Sequence, residues 1–452
     1  MVVALLLIAP HQLSAQVIGQ GLGTSKPIPE TPKQTKEEKK QEKQEEKELE
    51  NAEPTDIVLN LLQNMSMEEK IAQLMFVRIV GELAPNSIDT NMIKYIPPGG
   101  LLLPELSRSY TIIDYNQSLR GMTGHAKNPI PFFIAGDAFT HLDSATKNAN
   151  RFLSMPTRLA LGASGASEDR TELFDTLADD LERIGINTHF GPSLSMTNAL
   201  GIGPSSIYTF GNSPEMTASI ARELGKAFEK HDIMWVPQSF PGGSANRAGS
   251  ADAVLMTPNM EYIERDGYPY LAAIQAGASM MHVGNTLVQQ PDGSMIPASL
   301  SSSTITTLLK GSLDFKGLVI AGPMDTHSMR KKFNPEEAAL QSLLAGTDMI
   351  MWASTTNQIP KTIAYIKKKI DDGEISPLLI DQAVARVLMF KQAAGLFEPK
   401  ELPKDEESRK IARENRKSDA LFNVERRSLT LLKNNGATLP LIKDASTPLF
   451  IT

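Results

Sequence analysis

The sequence predicts an α/β fold: a (β/α)8 TIM-like barrel followed by the start of a truncated second α/β domain. Eight short apolar runs recur along the chain, each bounded by turn residues, and amphipathic helical patterns separate several of them. Strands of this kind that alternate with helices indicate a parallel sheet covered by helices, and eight units match this barrel. A doubly wound open sheet is the alternative, but no Gly-x-Gly-x-x-Gly motif follows the first run. The runs are Met75–Ile79, Gly100–Leu103, Phe132–Gly136, Asn187–Phe190, Ile233–Val236, Met280–Val283, Gly317–Ala321 and Met349–Trp352.

The composition is that of a globular protein large enough for more than one domain. The 452 residues are 41% hydrophobic and 21% charged, as in ordinary soluble domains. A net charge of −7 without a basic patch argues against nucleic acid and against an anionic membrane surface as partner. The chain has no cysteine, which excludes disulfides, thiolate metal sites and a cysteine nucleophile.

Residues 1–16 are predicted to be a signal peptide of an exported bacterial protein, periplasmic or secreted. The segment MVVALLLIAPHQLSAQ has an apolar run of signal-peptide length followed by small residues. The run is too short to span a bilayer, so no membrane span is expected. No Lys or Arg precedes it. Either the natural chain begins upstream, or the segment is an apolar strand.

Residues 17–54 are predicted to be a charged low-complexity linker. The stretch KQTKEEKKQEKQEEKELE mixes both charge signs and has almost nothing to bury, so it forms a solvated spacer or a single exposed helix.

The barrel is assigned to residues 55–398. Its first helix is indicated by a capping box, Ser66 with Glu69 three residues later, and by an apolar stripe of Ile71, Leu74 and Met75. Two further amphipathic stretches, at 167–185 and 213–231, are the clearest covering helices.

Residues 399–452 are predicted to be a connector and the start of the second domain. A charged helical stretch is followed by a helix end, a Lys-Asn-Asn-Gly turn and the beginning of a strand.

In a barrel of this class the functional residues lie at the carboxyl ends of the strands. Few of the residues at those positions are carboxylates, so the rim is poorly equipped for acid–base chemistry. No His or carboxylate spacing indicates a metal site, and no cofactor motif is present. The rim residues are Glu105, Asp137, His189, Gln238, Ser239, His282, Asn285, Gly322, Pro323, Asp325 and Ser354.

Several segments resemble one family in their order and spacing. MSMEEKIAQLMFV, GGLLLPE, PFFIAGD, LERIGINTHFGPSL, SFPGG, FKGLVIAGPM and LAGTDMIM are similar to the N-terminal barrel of glycoside hydrolase family 3, most closely its β-N-acetylglucosaminidase (β-N-acetylhexosaminidase) branch. The tail RRSLTLLKNNGATLPL looks like the entry to the α/β domain that follows the barrel in many members. The resemblance implies a saccharide partner, in particular a peptidoglycan-derived amino sugar, and a C-terminal partner domain.

The catalytic motifs of that branch are degenerate here. The position of the family's aspartate nucleophile, after the seventh strand, is Gly322. The family's His–Asp acid/base dyad follows Lys-His-Phe-Pro-Gly-His-Gly, and the matching stretch is QSFPGGSANRAGSAD, with the dyad positions near Gly249 and Ala251. A retaining glycosidase needs both a nucleophile and an acid/base, so the resemblance assigns no catalytic residue in this chain.

The sugar-binding positions are also mostly replaced. The family's Asp-Gln-Glu-Gly-Gly reads DAFTH, so Asp137 is kept, Phe139 replaces the glutamate, and Thr140 and His141 replace the glycines. Tyr208 stands at the arginine of Arg-Ser-Phe-Gly, and Ser195 stands at an aspartate that follows the fourth strand. Asp137 is therefore the one substrate-binding residue that the resemblance carries over.

Two functions follow. In the first, the barrel keeps its scaffold, has lost hydrolysis, and binds a saccharide or serves as a scaffold for the C-terminal domain. In the second, it is an active hydrolase of O-glycosyl bonds that uses Asp325 with Asp137 or Glu105 as non-standard carboxylates.

Each candidate also has a purely structural interpretation. Asp325 suits an N-cap of the following helix, and Asp137 suits a turn cap. His189 and His282 suit core histidines. Ser239 and Ser354 have no visible His–Asp partners, so a serine-hydrolase triad is unsupported.

Overall fold

The computed structural model of the chain describes most of the predicted barrel. The predicted signal peptide and linker, Glu105, Thr140, His141 and the dyad positions Gly249 and Ala251 lie outside the described residues. The described residues are 56–81, 85–103, 112–122, 124, 127–139, 155–196, 208–242, 254–255, 260–290, 292–354, 358–398, 401–402 and 419–430.

The predicted (β/α)8 barrel is confirmed. All eight apolar runs form strands, and they join one parallel sheet in the order β5-β4-β3-β2-β1-β11-β10-β7. Their side chains are almost entirely buried, because the interior and the helical layer cover both faces of the sheet. The barrel strands are β1 Met75–Arg78, β2 Gly100–Leu102, β3 Phe133–Gly136, β4 Thr188–Ser193, β5 Met234–Gln238, β7 Met280–Val283, β10 Leu318–Ala321 and β11 Met349–Trp352.

Phe240 brings the two ends of the sheet together. It forms a parallel bridge to Val283 just beyond the end of β5. Its backbone N–H donates to the oxygen of His282 at 2.8 Å, and its oxygen accepts from the N–H of Gly284 at 3.0 Å. The ends of β5 and β7 are therefore hydrogen-bonded at the rim, where the candidate residues lie.

Helices alternate with the barrel strands as the sequence predicts. The Ser66–Glu69 capping box is confirmed, with the Glu69 N–H donating to Ser66 Oγ at 3.2 Å and the Ser66 N–H donating to Glu69 Oε2 at 2.7 Å. The helices are α1 Asp56–Asn64, α2 Met67–Gln73, α3 Ser87–Tyr95, α4 Ile112–Met122, α5 Arg158–Ala163, α6 Ser167–Arg183, α7 Pro214–Lys230, α8 Met260–Glu264, α9 Tyr268–Gln275, α10 His327–Arg330, α11 Pro335–Leu344, α12 Gln358–Asp371, α13 Pro377–Ala393 and α14 Asp419–Ser428.

Some elements lie outside the simple alternation. A π-helix spans Ser303–Ser312, and a 3-10 turn spans Ala298–Leu300. A small second sheet joins β6 Val254–Leu255, β8 Leu287–Gln289 and β9 Met295–Pro297. None of the helices in the described residues is long and apolar enough to cross a membrane.

The barrel interior is filled by large side chains. The ring of Phe190 lies 5.5 Å from that of Phe76 and 5.3 Å from that of His282, measured between centroids. Phe76 and Phe190 are both fully buried. The interior is therefore a packed core, and any ligand site must lie at the rim.

Buried charges lie outside that interior. Arg170 on α6 donates to both carboxylate oxygens of Glu223 on α7, at 2.8 Å each. Asp348, just before β11, pairs with Lys310 at 2.9 Å and with Arg386 at 2.8 Å. Paired charges of this kind fix the helices against each other, because an unpaired partner would be left in a low dielectric.

Candidate functional site

The turn after β10 leaves no room for a side chain at the position of the family's nucleophile. Gly322 has φ +134°, a conformation that favours glycine. A Cβ placed on it would lie 2.9 Å from the backbone oxygen of Met351 and 3.1 Å from the nitrogen of Met324. The Gly322 N–H also donates to Val283 at 3.1 Å. The backbone itself therefore excludes a carboxylate here.

Asp325, the nearest carboxylate on the same loop, is directed at the backbone of the next strand end. Its Oδ1 accepts from the Ala353 N–H at 2.7 Å, and its Oδ2 accepts from Ser354 Oγ at 3.5 Å. The side chain is 9% exposed. The expectation that Asp325 caps α10 is wrong, because Thr326 is the N-cap and accepts from the Met329 N–H. Asp325 instead connects the β10 loop to the end of β11.

The end of β5 carries Ser239 at the position of the family's motif histidine. Its Oγ lies 3.2 Å from Nδ1 of His282. Nε2 of His282 lies 3.1 Å from the oxygen of Gly322. A carbonyl oxygen can only accept, so Nε2 carries the proton, and the Ser239 hydroxyl donates to Nδ1. This pairing could not be predicted from the sequence, since the two residues are far apart along the chain.

This Ser–His pair lacks the properties of a nucleophile and its base. Burial lowers the pKa of His282 to about 4, against the opposing effect of its bond to Gly322. An imidazole that resists protonation is a weak proton acceptor near neutral pH. The partner of Nε2 is a carbonyl and not a carboxylate, so no Ser-His-Asp triad exists at this rim position. The pair is best understood as a neutral hydrogen-bonded link between strand ends.

Asp137 lies at the end of β3 and is half-buried. Its Oδ1 accepts from the Phe139 N–H at 2.8 Å, the bond expected of a turn cap. A Cβ on Gly191, at the end of β4, would lie 3.4 Å from Asp137 Oδ2 and 3.1 Å from Gln238 Nε2. Asp137 and Gln238 therefore flank the backbone of Gly191, and together they place an acceptor and an amide at the rim.

His189 is a satisfied core histidine, as its structural interpretation predicts. It is fully buried, and its ring stacks on Phe228 with centroids 4.8 Å apart. Its Nδ1 donates to the oxygen of Gly191 at 2.8 Å, and its Nε2 accepts from the Ala138 N–H at 3.3 Å. Burial lowers its pKa, so the ring stays neutral and holds the β4 turn in place.

The replaced sugar-binding positions serve packing. Phe139 is 2% exposed and contacts the ring of Phe174 edge-on, with centroids 6.4 Å apart. Ser195 lies 3.4 Å, oxygen to oxygen, from the hydroxyl of Tyr270, which in turn donates to the oxygen of Ser239 at 3.0 Å. These substitutions turn part of the former rim into core and second-layer structure.

The sequence did not single out Arg158, a polar residue near this rim. Arg158, the first residue of α5, is 7% exposed, and its guanidinium carbon lies 5.8 Å from the ring centroid of Tyr208. Its charge interacts with that of Asp137. No motif marks Arg158, and only the packing of α5 brings it near Asp137.

One group of metal-ligand types also occurs in the described part of the chain. Asp179 and Glu182 on α6 and His231, just after α7, are partly buried and offer ligand atoms within 4.8 Å of one another. Arg183 already pairs with Asp179 at 2.6 Å, and His231 Nε2 lies 3.1 Å from Asp175. The sequence did not indicate this group, because His231 is distant from the two carboxylates along the chain.

A cavity of about 490 Å³ lies away from the rim. It is bounded by residues of α2, α12 and the end of α3, including Glu69, Tyr95 and Lys367. None of the rim residues lines it, so it does not bear on the chemistry at the strand ends.

Comparison with known proteins identifies relatives of this barrel. The profile of the glycosyl hydrolase family 3 N terminal domain matches residues 66–390. A β-N-acetylglucosaminidase/β-glucosidase from Cellulomonas fimi is 23% identical over 398 residues, which are 86% of this chain and 68% of that protein. The β-hexosaminidase LpqI of Mycobacterium tuberculosis is 24% identical over 351 residues, 75% of this chain and 85% of LpqI.

A solved structure supports the fold. The glycoside hydrolase family 3 β-N-acetylglucosaminidase from Paenibacillus sp. str. FPU-7 superimposes with a TM-score of 0.72 at 22% identity, over 82% of this chain and 70% of that chain. At this identity the likeness establishes the barrel fold and leaves the chemistry to the residues at the rim.

Proposed function

This chain belongs to glycosyl hydrolase family 3, and we propose that its barrel binds an amino sugar without hydrolysing the glycosidic bond. The observation that carries the proposal is the backbone at Gly322, with φ +134° and a Cβ position 2.9 Å from the oxygen of Met351. A retaining glycosidase forms a covalent intermediate on a carboxylate. Glycine offers none, and this backbone admits none.

The alternative, an active hydrolase with Asp325 as a substitute nucleophile, is opposed by the bonding of that residue. A nucleophilic carboxylate needs an oxygen free to approach the anomeric carbon. Both oxygens of Asp325 lie beside donors, the Ala353 N–H at 2.7 Å and Ser354 Oγ at 3.5 Å.

Saccharide binding is supported by what remains at the rim. Asp137 presents a half-buried carboxylate beside Gln238, across the backbone of Gly191. Carboxylate and amide groups are the usual partners of sugar hydroxyls, since each hydroxyl both donates and accepts. The names of the relatives, β-N-acetylglucosaminidase and β-hexosaminidase, favour a peptidoglycan-derived amino sugar as the ligand class.

We place the protein outside the cytoplasm on the basis of residues 1–16, with residues 17–54 as the tether. A scaffold role toward a C-terminal domain is the second candidate. Helix α14, just before the predicted second domain, packs against α5 and α6, and its Asn423 donates to Asp169 at 3.0 Å. These contacts would hold a following domain close to the barrel.

The test combines binding and product analysis on one ligand, the β-1,4-linked disaccharide of N-acetylglucosamine. Titration calorimetry gives the dissociation constant for the wild type, Asp137→Asn and the control Asp372→Asn, a substitution in the outer layer. Chromatography then shows whether the disaccharide survives. We expect binding that weakens at least tenfold in Asp137→Asn alone, with intact disaccharide. Cleavage would overturn the loss of hydrolysis, and absence of binding at millimolar ligand would overturn the saccharide site.

A further inference from the structure

We propose that Arg158 is a saccharide-binding residue: its guanidinium supplies the cation of the sugar site from a new position, over the ring of Tyr208 and within electrostatic reach of Asp137. The inference rests on the proposed saccharide site and names the group that recognises the ligand there. The ligand class is a neutral amino sugar or its short β-linked oligomer.

The first observation is an unsatisfied donor on a deeply buried side chain. Arg158 is 7% exposed, and its Nε has no hydrogen-bond partner within the described part of the chain. Buried polar groups in folded proteins are nearly always bonded, and a native exception calls for an explanation such as a missing ligand. A ligand oxygen at Nε would satisfy that donor.

The second observation is the position of the guanidinium. Thr157 caps α5 and fixes Arg158 at its first turn. The guanidinium carbon lies 5.8 Å from the centroid of the Tyr208 ring, a cation–π distance that holds the plane in place. Burial lowers the pKa of Arg158, and the negative charge of Asp137 opposes that shift by favouring the protonated guanidinium.

Tyr208 occupies the position at which the family resemblance expects an arginine. In this chain the guanidinium expected at position 208 is absent, because Tyr208 stands there. Arg158 on α5 supplies a guanidinium instead, and that guanidinium stacks on the ring of Tyr208. The exchange keeps the charge near Asp137 and changes the backbone that carries it. A relocation of this kind preserves binding without preserving the sequence motif.

The chemistry of the pair selects the ligand. Asp137 can only accept hydrogen bonds when ionised, and Arg158 can only donate. A ligand must therefore offer a hydroxyl to the carboxylate and an oxygen, from a hydroxyl or an acetamido carbonyl, to the guanidinium. The two charges cancel, so a neutral sugar fits the pair without an added charge.

The experiment measures the dissociation constant of the N-acetylglucosamine disaccharide by calorimetry for the wild type and Arg158→Gln. The matched control is Arg222→Gln, because Arg222 stacks on Tyr268 at 5.7 Å in a similar cation–π contact on α7. We expect at least tenfold weaker binding in Arg158→Gln and wild-type binding in the control. Thermal unfolding of each variant separates a binding effect from a loss of stability.

Arg158→Lys keeps the charge but lacks the Nε–H, and we expect it to lose binding as well. It is the replacement test variant if Arg158→Gln does not fold. Wild-type affinity in a folded Arg158 variant, together with weaker binding in Asp137→Asn, would overturn this proposal and leave the saccharide site standing. No binding by the wild-type protein would instead overturn the saccharide site, and this inference with it.

Discussion

The imidazole of His282 donates its Nε2 proton to the backbone oxygen of Gly322 across 3.1 Å. On its other side, Nδ1 accepts from Ser239 Oγ at 3.2 Å. The ends of β5, β7 and β10 are thus joined by neutral hydrogen bonds at the positions where the family resemblance expects an acid/base motif and a nucleophile. This link gives the residues at these positions a structural role that can be measured.

Replacing Gly322 with aspartate, the residue that the family resemblance expects there, should destabilise the fold. Gly322→Asp and Gly322→Ala should both lower the free energy of unfolding by about 2–4 kcal/mol, because either Cβ meets backbone 2.9 Å away in a conformation that disfavours side chains. Gly211→Ala is the matched control, since Gly211 has φ +120° with nothing within 4 Å of its Cβ. It should cost only the conformational part, roughly 1–3 kcal/mol, and therefore less than either Gly322 variant measured in the same way, because only Gly322 adds a backbone clash. Equal losses at both positions in urea unfolding would contradict the steric argument.

Acid should destabilise the fold through His282. Its pKa is about 4 in the folded state against 6.5 as the ordinary value, so between these values the unfolded chain takes up a proton that the folded chain refuses. The contribution of His282 to stability is therefore complete above pH 6.5 and falls by about 3 kcal/mol toward pH 4. His189, whose pKa burial also lowers, adds to the same decline.

His282→Gln should reduce this acid-side slope, because glutamine keeps a donor but does not titrate. His327→Gln, at an exposed position on α10, should leave the slope unchanged. Urea midpoints measured between pH 4 and 7 check both variants. A slope unaltered in His282→Gln would show that the buried imidazole is not its source.

Lys391 should make stability depend on pH in the same direction as His282, in a window that ends at a higher pH. It is fully buried with Gln73 Oε1 as partner at 2.8 Å, and burial lowers its pKa well below 10.5. Between the lowered pKa of the folded lysine and 10.5, the unfolded chain holds a proton that the folded chain lacks, so stability rises with pH in that window. Lys391→Met should flatten that rise, whereas Lys361→Met on the exposed face of α12 should not. Unfolding free energies of the wild type and both variants at pH 7, 8 and 9 measure this rise. An equal rise in Lys391→Met and the wild type would contradict the prediction.

The buried Arg170–Glu223 pair should dominate the contact between α6 and α7. Their side chains are 2% and 10% exposed, so Arg170→Met strands a buried carboxylate and should cost about 3–5 kcal/mol. Lys230→Met breaks an ion pair to Asp175 whose side chains are 64% and 37% exposed, and should cost under about 1 kcal/mol. Comparable losses in thermal unfolding would show that burial does not set the energy of these pairs.

The barrel could be predicted from the sequence because its strands are short, apolar and regularly spaced. All eight runs, the Ser66–Glu69 capping box and the helices around 167–185 and 213–231 depend on local periodicity, which one chain displays directly. Boundaries moved by a few residues, as at β4, where the strand continues to Ser193. Local sequence patterns predict the presence of a helix or strand more reliably than they predict the residue at which it ends.

The rim could be predicted only in part, because its contacts join distant segments. The sequence located Gly322 and Asp137, since motifs surround both. It could not show that Ser239 reaches His282, or that Arg158 stacks on Tyr208, since those contacts depend on how strand ends and α5 meet. Asp325 illustrates the same limit: its position suggested a helix cap, while its carboxylate bonds to Ala353 on the next strand.

The most direct test of the central claim is release of the chromogenic leaving group from an aryl β-N-acetylglucosaminide by the wild type and by Asp325→Asn. The activated leaving group makes this assay sensitive to weak residual hydrolysis. We predict turnover indistinguishable from buffer in both proteins, because Gly322 supplies no nucleophile and Asp325 is bonded to backbone. Turnover well above buffer in the wild type that disappears in Asp325→Asn would contradict the account and identify Asp325 as a nucleophile.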